Sequence, residues 1–247
     1  MGGDRKRPWF RTAELLIIPW LRVVIRHRWA GAANLPSSGG VVVAANHISK
    51  IDPITFGYFI DANGRTPHFM AKVELFNARG LGHVFRATDM IPVYRGGESA
   101  GASVAAAVAA VRDEGMCVIV YPEATITRDP GMWPMVGKTG AARIALESGA
   151  PVIPVAQWGA HRVLAPYSKR PTFWPRRTVY ARAGAPVDLD DLRGREITTE
   201  LVTEATTRIM NAITAELEII RAEKAPAQRF DPRAAGVRQY GRPEVET

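Results

Sequence analysis

The sequence contains one cysteine, Cys117, in 247 residues. A single cysteine excludes an internal disulfide and a cysteine-built metal cluster, and it suits a reducing cytosolic compartment. Because Cys117 lies in the apolar run MCVIVYP, we expect it to pack in the core rather than to act as a nucleophile. The histidines His68, His83 and His161 share no metal-ligand spacing, so we predict neither a metal nor a bound cofactor.

The chain also lacks the run of about 20 apolar residues that a membrane-spanning helix needs. Its first segment, residues 1–36, is apolar in the middle but is interrupted by Arg22 and Arg26, and no cleavage site follows. We predict an amphipathic helical segment that lies in a membrane surface and is kinked or split at Pro19. The alternative is a helix that packs on the protein's own core.

Acidic residues are fewer than basic ones: 24 Asp and Glu against 32 Lys and Arg give a net charge of +8. A basic surface favours nucleic acid, acidic lipid or phosphorylated substrates as partners. The sequence has no zinc finger, RNA-recognition signature or basic leucine zipper, but the charge alone does not choose among these three kinds of partner. Together with the family resemblance described below, it predicts an anionic membrane surface and no nucleic-acid partner.

Apolar strands alternate with helices over residues 37–225, which predicts one α/β domain with a central, mostly parallel or mixed sheet flanked by helices. The polar remainder, residues 226–247, is predicted to be a loose tail. The predicted strands are GVVVAAN, HFMAKV, DMIPVYR, MCVIVYP, APVIPVAQWG and RTVYARAG. The predicted helices are DPITFGYFID with Asp52 as N-cap, a short helix around residues 75–85, ESAGASVAAAVAAVRDEG, TGAARIALESG and the long amphipathic stretch EITTELVTEATTRIMNAITAELEIIRAEK.

The stretch VVVAANHISKIDP ends a predicted buried strand on Asn46 and His47, with Asp52 five residues after the histidine. Strand-to-helix loops of α/β proteins expose side chains at the edge of the sheet where catalytic sites form. Asp52 could hydrogen-bond one ring nitrogen of His47 and leave the other to take a proton. A surface loop with two common polar residues is the alternative.

The pattern Asn46-His47-x-x-x-x-Asp52 resembles the first conserved block of the glycerolipid acyltransferase family, typified by 1-acyl-sn-glycerol-3-phosphate acyltransferase. AKVELFNARGLGHVFRATDMIPVYRG resembles the second block, YPEATITRD the third and GAPVIPVAQWG the fourth. The four blocks follow in the family's order over residues 39–159, about half of the chain.

The resemblance implies a transfer of a fatty acyl chain from an acyl thioester, acyl-coenzyme A or acyl carrier protein, to a lysophospholipid hydroxyl. The acceptor it implies is 1-acyl-glycerol-3-phosphate, which becomes phosphatidic acid, and the implied location is the cytoplasmic face of the cell membrane. His47 and Asp52 would be catalytic. The implied substrate-binding residues are Arg95 for the acceptor phosphate, Glu123 for the glycerol, and Thr125, Lys72 and Asn46, with Lys138 as a further electrostatic support.

The third block departs from the family pattern at two positions. Ala124 stands where the family prefers glycine, and Ile126 stands where it prefers arginine, while Arg128 follows two residues later. Arg128 could replace the arginine, or the acceptor could be glycerol 3-phosphate or a glycolipid. Hydrolysis of the thioester by water stays open, as does a basic membrane-binding protein of the same fold without activity.

Overall fold

The computed structural model describes residues 8–94 and 98–238. Within these ranges seven strands form one sheet: β1 (Ile25–Ala30), β2 (Val41–Ala45), β3 (Pro67–Lys72), β4 (Ile91–Val93), β5 (Cys117–Val120), β6 (Val152–Trp158) and β7 (Arg177–Ala183). The α-helices are α1 (Pro8–Val24), α2 (Asp52–Ala62), α3 (Val73–Phe76), α4 (Leu81–Ala87), α5 (Glu98–Arg112), α6 (Gly140–Ser148) and α7 (Thr199–Arg221). Short 3-10 turns span Ala32–Asn34, Ala160–Arg162 and Asp190–Leu192.

The strand order is β1-β7-β6-β2-β5-β3-β4. Five neighbouring strands, from β6 to β4, are parallel, whereas β7 runs antiparallel to β6 and is joined by β1, which is parallel to β7. The predicted α/β class with a mixed sheet is therefore confirmed. Since parallel strands end at the same edge, the segments that follow β2, β3, β5 and β6 meet there.

Helices cover both faces of the sheet because its central strands are apolar on both sides. Alternate residues of β2 show this: Val42 and Ala44 pack with α5, α6 and α7, while Val41, Val43 and Ala45 pack with α2. Cys117 is buried in the α2 layer. This burial agrees with the packing role predicted for it.

Six of the seven strands coincide with predicted ones, and β1 does not. The prediction continued the N-terminal helix past Ile25, but α1 ends at Val24 and Ile25–Ala30 pairs with β7. The alternation of exposed Arg26 and Arg28 with inward His27 and Trp29 is the strand period, which the helical interpretation overlooked. Trp29 packs edge-on against Tyr58 and Phe59 of α2. The predicted segment 1–36 thus contributes a strand to the sheet.

Helix α1 runs through Pro19 as one helix, so the predicted split does not occur. No helix among the described residues is both long enough and apolar enough to cross a membrane. The helix predicted around residues 75–85 is two short helices, α3 and α4, separated at Gly80, which has a positive φ of 77°. Glycine reaches this conformation without the penalty of a Cβ atom.

The described part of the predicted loose tail, residues 226–238, contacts the domain. The Phe230 carbonyl accepts a hydrogen bond of 3.1 Å from the Val136 amide, and Arg229 donates to Asn211 of α7. Looseness was therefore a wrong prediction for these residues. A polar composition hid the contacts, because they are made largely by backbone groups and by charged side chains.

Candidate functional site

His47 and Asp52 meet in the loop between β2 and α2. Nδ1 of His47 lies 2.8 Å from Oδ2 of Asp52. The same carboxylate oxygen accepts hydrogen bonds from the amides of Ile48 at 2.6 Å and Ser49 at 2.8 Å. An acceptor of this kind places the proton on Nδ1, so Nε2 has the lone pair that a general base needs.

The His47 ring is partly accessible, with 17% of its side chain exposed, whereas Asp52 is fully buried. Among the described residues none hydrogen-bonds to Nε2. Asp52 is the first helical residue of α2 and Ile51 is its N-cap, so the predicted capping role of Asp52 is wrong. Its side chain turns back to the preceding loop instead and closes that loop around the histidine.

The ring of Tyr121, directly after β5, stacks on His47 with centroids 4.3 Å apart and planes at 13°. The tyrosine hydroxyl is buried. Burial, together with the charge of Asp52, raises the pKa of Tyr121 well above its ordinary value. One face of the histidine ring therefore packs against a neutral aromatic ring. The sequence showed an aromatic residue in the third block but not its contact with His47.

Glu123 lies beneath the loop rather than at its surface. It is buried, and its two carboxylate oxygens accept hydrogen bonds from the amides of His47 at 3.1 Å and Met135 at 3.0 Å. Burial raises the pKa of Glu123 to about 8, against the opposing effect of these two amides. The carboxylate ties the loop after β5 to the backbone of His47.

Asn46 joins the ends of β2 and β6. Its side-chain nitrogen donates to the Gln157 carbonyl at 3.0 Å, its side-chain oxygen accepts from the Gln157 amide at 2.8 Å, and its own carbonyl accepts from the Gln157 side chain at 2.6 Å. Because both polar atoms of the buried amide are engaged, the geometry fixes the position of the neighbouring His47 backbone.

The other predicted residues lie around this centre or outside the described chain. Lys72 is exposed at the carboxyl end of β3, on the same edge of the sheet as His47. Thr125 is half-buried, and Lys138 donates its backbone amide to the Pro122 carbonyl at 2.8 Å. Arg95 falls on residues that the structure does not describe, so its predicted phosphate contact stays a prediction.

The two departures of the third block differ in how well they fit the structure. Ala124 has a positive φ of 56°, the left-handed region that favours glycine. Ile126 is buried, so an apolar side chain suits that position, and its carbonyl accepts from the Tyr167 hydroxyl at 3.0 Å. The Arg128 guanidinium lies over the Tyr167 ring, 5.3 Å from its centroid. A cation is therefore held next to the loop, two residues beyond the expected position.

Within the described ranges no group of three or more His, Cys, Asp and Glu side chains could hold a metal ion. The assembled centre is a partly exposed histidine, a buried carboxylate that orients it, an aromatic face and two buried side chains that fix the loops. A histidine oriented in this way at the carboxyl edge of an α/β sheet has the geometry that a general base needs.

The model of the Acyltransferase family matches residues 26–158, more than half of the chain, so the protein belongs to the Acyltransferase family. The matched range contains His47, Asp52, the first three blocks and the fourth block up to Trp158. A 1-acyl-sn-glycerol-3-phosphate acyltransferase of Bacillus subtilis is 34% identical over 129 residues, which cover 51% of this chain and 59% of the relative. One of Borreliella burgdorferi is 27% identical over 132 residues, which cover 53% and 50%. The matches thus span about half the length of these relatives.

A crystal structure of the 1-acyl-sn-glycerophosphate (LPA) acyltransferase, PlsC, from Thermotoga maritima has the same fold. The TM-score is 0.65 at 23% sequence identity, and the alignment covers 87% of this chain and 81% of that one. The fold and the sequence family thus agree with the resemblance drawn from the four blocks.

Proposed function

We propose that the protein is an O-acyltransferase that moves a fatty acyl chain from an acyl thioester to the hydroxyl of 1-acyl-glycerol-3-phosphate. The observation that carries this proposal is the hydrogen bond of 2.8 Å between His47 Nδ1 and Asp52, which leaves Nε2 as the base. Family membership supports the acyl transfer, and the names of the curated relatives support the acceptor.

In the proposed reaction His47 Nε2 takes the proton of the acceptor hydroxyl as its oxygen attacks the thioester carbonyl. The tetrahedral intermediate then collapses, the carbon–sulfur bond breaks, and the thiolate takes the proton from His47. Asp52 holds the ring throughout and stabilises the imidazolium that forms. The products are an ester and a free thiol, either coenzyme A or acyl carrier protein, and no bound cofactor enters the balance.

We assign Asn46 and Glu123 positioning roles rather than the substrate contacts that the resemblance implied. Both polar atoms of the Asn46 amide and both carboxylate oxygens of Glu123 already hydrogen-bond backbone groups of the protein. Arg95, Lys72 and Thr125 keep their proposed substrate roles, with Arg95 on the acceptor phosphate. Arg128 is a second candidate for that phosphate, because its guanidinium is held beside the third-block loop.

We propose further that the protein works at the cytoplasmic face of a membrane as a peripheral protein. Leu15, Leu16 and Val23 of α1 are exposed, and the net charge of +8 favours an anionic surface. Liposome binding that is unchanged after removal of residues 1–24 would contradict a contact through this helix.

The deciding experiment follows thiol release from palmitoyl-coenzyme A with and without lysophosphatidic acid, for the wild type and for His47→Ala. The proposal expects release that requires the acceptor and is lost in the variant, while the thermal unfolding of the two proteins stays similar. Release without acceptor would indicate a thioesterase. If palmitoyl-coenzyme A gives none, palmitoyl-acyl carrier protein and glycerol 3-phosphate are tried next. Failure with these as well would favour the inactive membrane-binding protein.

A further inference from the structure

Helix α1 has two apolar faces, and residues 8–94 and 98–238 cover only one of them. Leu21 is buried, and it packs with Ile25 and Tyr58. On the outer side Leu16 is 71% exposed and Val23 is 69% exposed. A helix packed only on its own protein would carry polar residues on that outer side.

The loop of residues 164–176 adjoins this outer side. The Phe173 ring lies edge-on to Trp20 of α1, with centroids 5.0 Å apart. The Arg176 guanidinium donates to the carbonyls of Arg22 at 2.6 Å and Ile25 at 2.9 Å, so it ties the loop to the end of α1. Trp174, between these two anchors, is 82% exposed. Its indole therefore extends the exposed apolar surface of the helix into a second segment.

The two segments carry cations and almost no acids. Over residues 8–30 Glu14 is the one acidic residue, and residues 163–177 contain none. The basic residues of the two segments are Arg11, Arg22, Arg26, Arg28, Lys169, Arg170, Arg176 and Arg177. Exposed apolar side chains bordered by cations, with tryptophan at the boundary, match the interface of an anionic bilayer.

We propose that the outer side of α1 and the loop of residues 164–176 form one docking surface for an anionic phospholipid bilayer, with Trp174 as a second insertion point besides α1. This inference rests on the proposed membrane association and adds a segment and a residue to it. Five of these cations, Arg11, Arg22, Lys169, Arg170 and Arg176, belong to the two segments of the surface itself. They suit acidic head groups, whereas an apolar protein partner would not require them.

The same loop braces the candidate site. Ser49, inside the His47–Asp52 loop, donates its hydroxyl to the Leu164 carbonyl at 2.6 Å, and Tyr167 donates to the Ile126 carbonyl at 3.0 Å. The docking surface and the base are therefore joined by one short segment. A lipid acceptor in the bound bilayer would lie beside the site.

The test compares Trp174→Ser with Ile219→Ser, which changes an exposed apolar residue of α7 on the opposite face of the sheet. Binding is measured by flotation with vesicles of phosphatidylcholine alone and with about one third phosphatidylglycerol. We expect Trp174→Ser to weaken binding to the anionic vesicles about tenfold and Ile219→Ser to leave it unchanged. Equal binding by both variants, or equal binding of the wild type to both vesicles, would overturn the proposal.

A label reports the contact directly and does not depend on turnover. Cys117 is buried, so Trp174→Cys and Ile219→Cys each offer one accessible thiol to an environment-sensitive fluorophore. Vesicles should shift the emission of the label at position 174 to the blue and leave that at 219 unchanged. No shift at 174 would refute insertion even if acyl transfer is demonstrated, and a shift without any acyl transfer would refute only the enzymatic proposal. If the protein sediments as a dimer and does not bind vesicles, the surface contacts a second copy of the chain. That result would refute a docking surface for a bilayer.

Discussion

Buried polar side chains lie at both ends of the parallel strands, but their roles differ at the two ends. At the edge where the parallel strands begin, the buried Arg65 guanidinium donates to the carbonyls of Pro36 and Gly39 at 2.7 Å each and of Gly115 at 3.1 Å. At the edge where those strands end, buried Asp52 and Glu123 accept from amides around His47.

The difference lies in which atom remains reactive. Arg65 cannot lose its proton and serves to fix the loops that precede β2 and β5. The carboxyl groups of Asp52 and Glu123 fix turns as well, but the loop they fix carries an imidazole ring that is partly open to solvent. In this protein one buried network therefore serves the fold alone, whereas the other also holds a side chain of suitable chemistry at the surface.

Asp52→Asn should produce the largest effect on activity. The amide can still accept from the loop amides but no longer stabilises the imidazolium, so we expect turnover to fall about a thousandfold or more. Steady-state thiol release measures this, and a denaturant titration checks that the variant is folded. Activity within tenfold of the wild type would remove Asp52 from the mechanism.

Arg65→Met should destabilise the edge where the parallel strands begin and leave acyl transfer unchanged. Three carbonyls lose their partner, so we expect the free energy of unfolding to fall by about 3 kcal/mol or more. Arg195→Met is the matched control, since Arg195 is exposed and lies two residues after Arg193, which donates to the Ala150 carbonyl just before β6. Urea unfolding gives the stability, and the KM for acceptor should stay at the wild-type value. If Arg65→Met is as stable as the wild type and has a raised KM, Arg65 would support the site and not the fold.

Arg128→Ala tests whether the cation beside the third-block loop binds phosphate. Loss of a charged hydrogen-bond donor should raise the KM for lysophosphatidic acid about tenfold or more. Arg195→Ala, at the far edge, should leave it unchanged. Acceptor titrations at saturating donor measure the effect. An unaltered KM in Arg128→Ala would leave Arg95 as the proposed phosphate ligand.

Glu123→Gln should change how stability depends on pH. The carboxyl of Glu123 has a folded-state pKa of about 8, above its ordinary value of 4.5, so the folded state holds a proton that the unfolded chain releases. Its contribution to stability is therefore full below pH 4.5 and is lost as the pH rises through 8. Between these pH values the thermal unfolding temperature should fall more steeply with rising pH for the wild type than for the variant. Parallel curves would show that Glu123 is ionised in both states.

Ala124→Gly should have the smallest effect. Glycine relieves the left-handed backbone at φ 56°, so we expect a gain of about 0.5–1 kcal/mol in unfolding free energy. Ala102→Gly, the same change in the exposed face of α5, should cost about as much, since glycine disfavours a helix. Thermal melts of both variants show whether each substitution raises or lowers the unfolding free energy. A loss in Ala124→Gly would mean that the residue gains more from its Cβ atom than the strained φ costs.

Four in-order blocks and the alternation of apolar runs were sufficient to predict the α/β class, six strands and the pairing of His47 with Asp52. These features are local or depend on strand order at one sheet edge. The strand β1 was missed because its alternating pattern spans only six residues and was read as a continuation of the helix. The strand that stabilises it, β7, lies some 150 residues later in the chain. The contacts of residues 226–238 were missed for the same reason.

The chemical groups at the site are visible in the sequence: a histidine, the carboxylate that pairs with it, an aromatic residue and nearby cations. Tertiary structure determines what each of these groups contacts. It turned Glu123 and Asn46 towards backbone groups, stacked Tyr121 on the base and brought the loop around Trp174 against α1. The physical reason is that burial and hydrogen-bond partners depend on contacts between distant segments, whereas the identity of a reactive group does not.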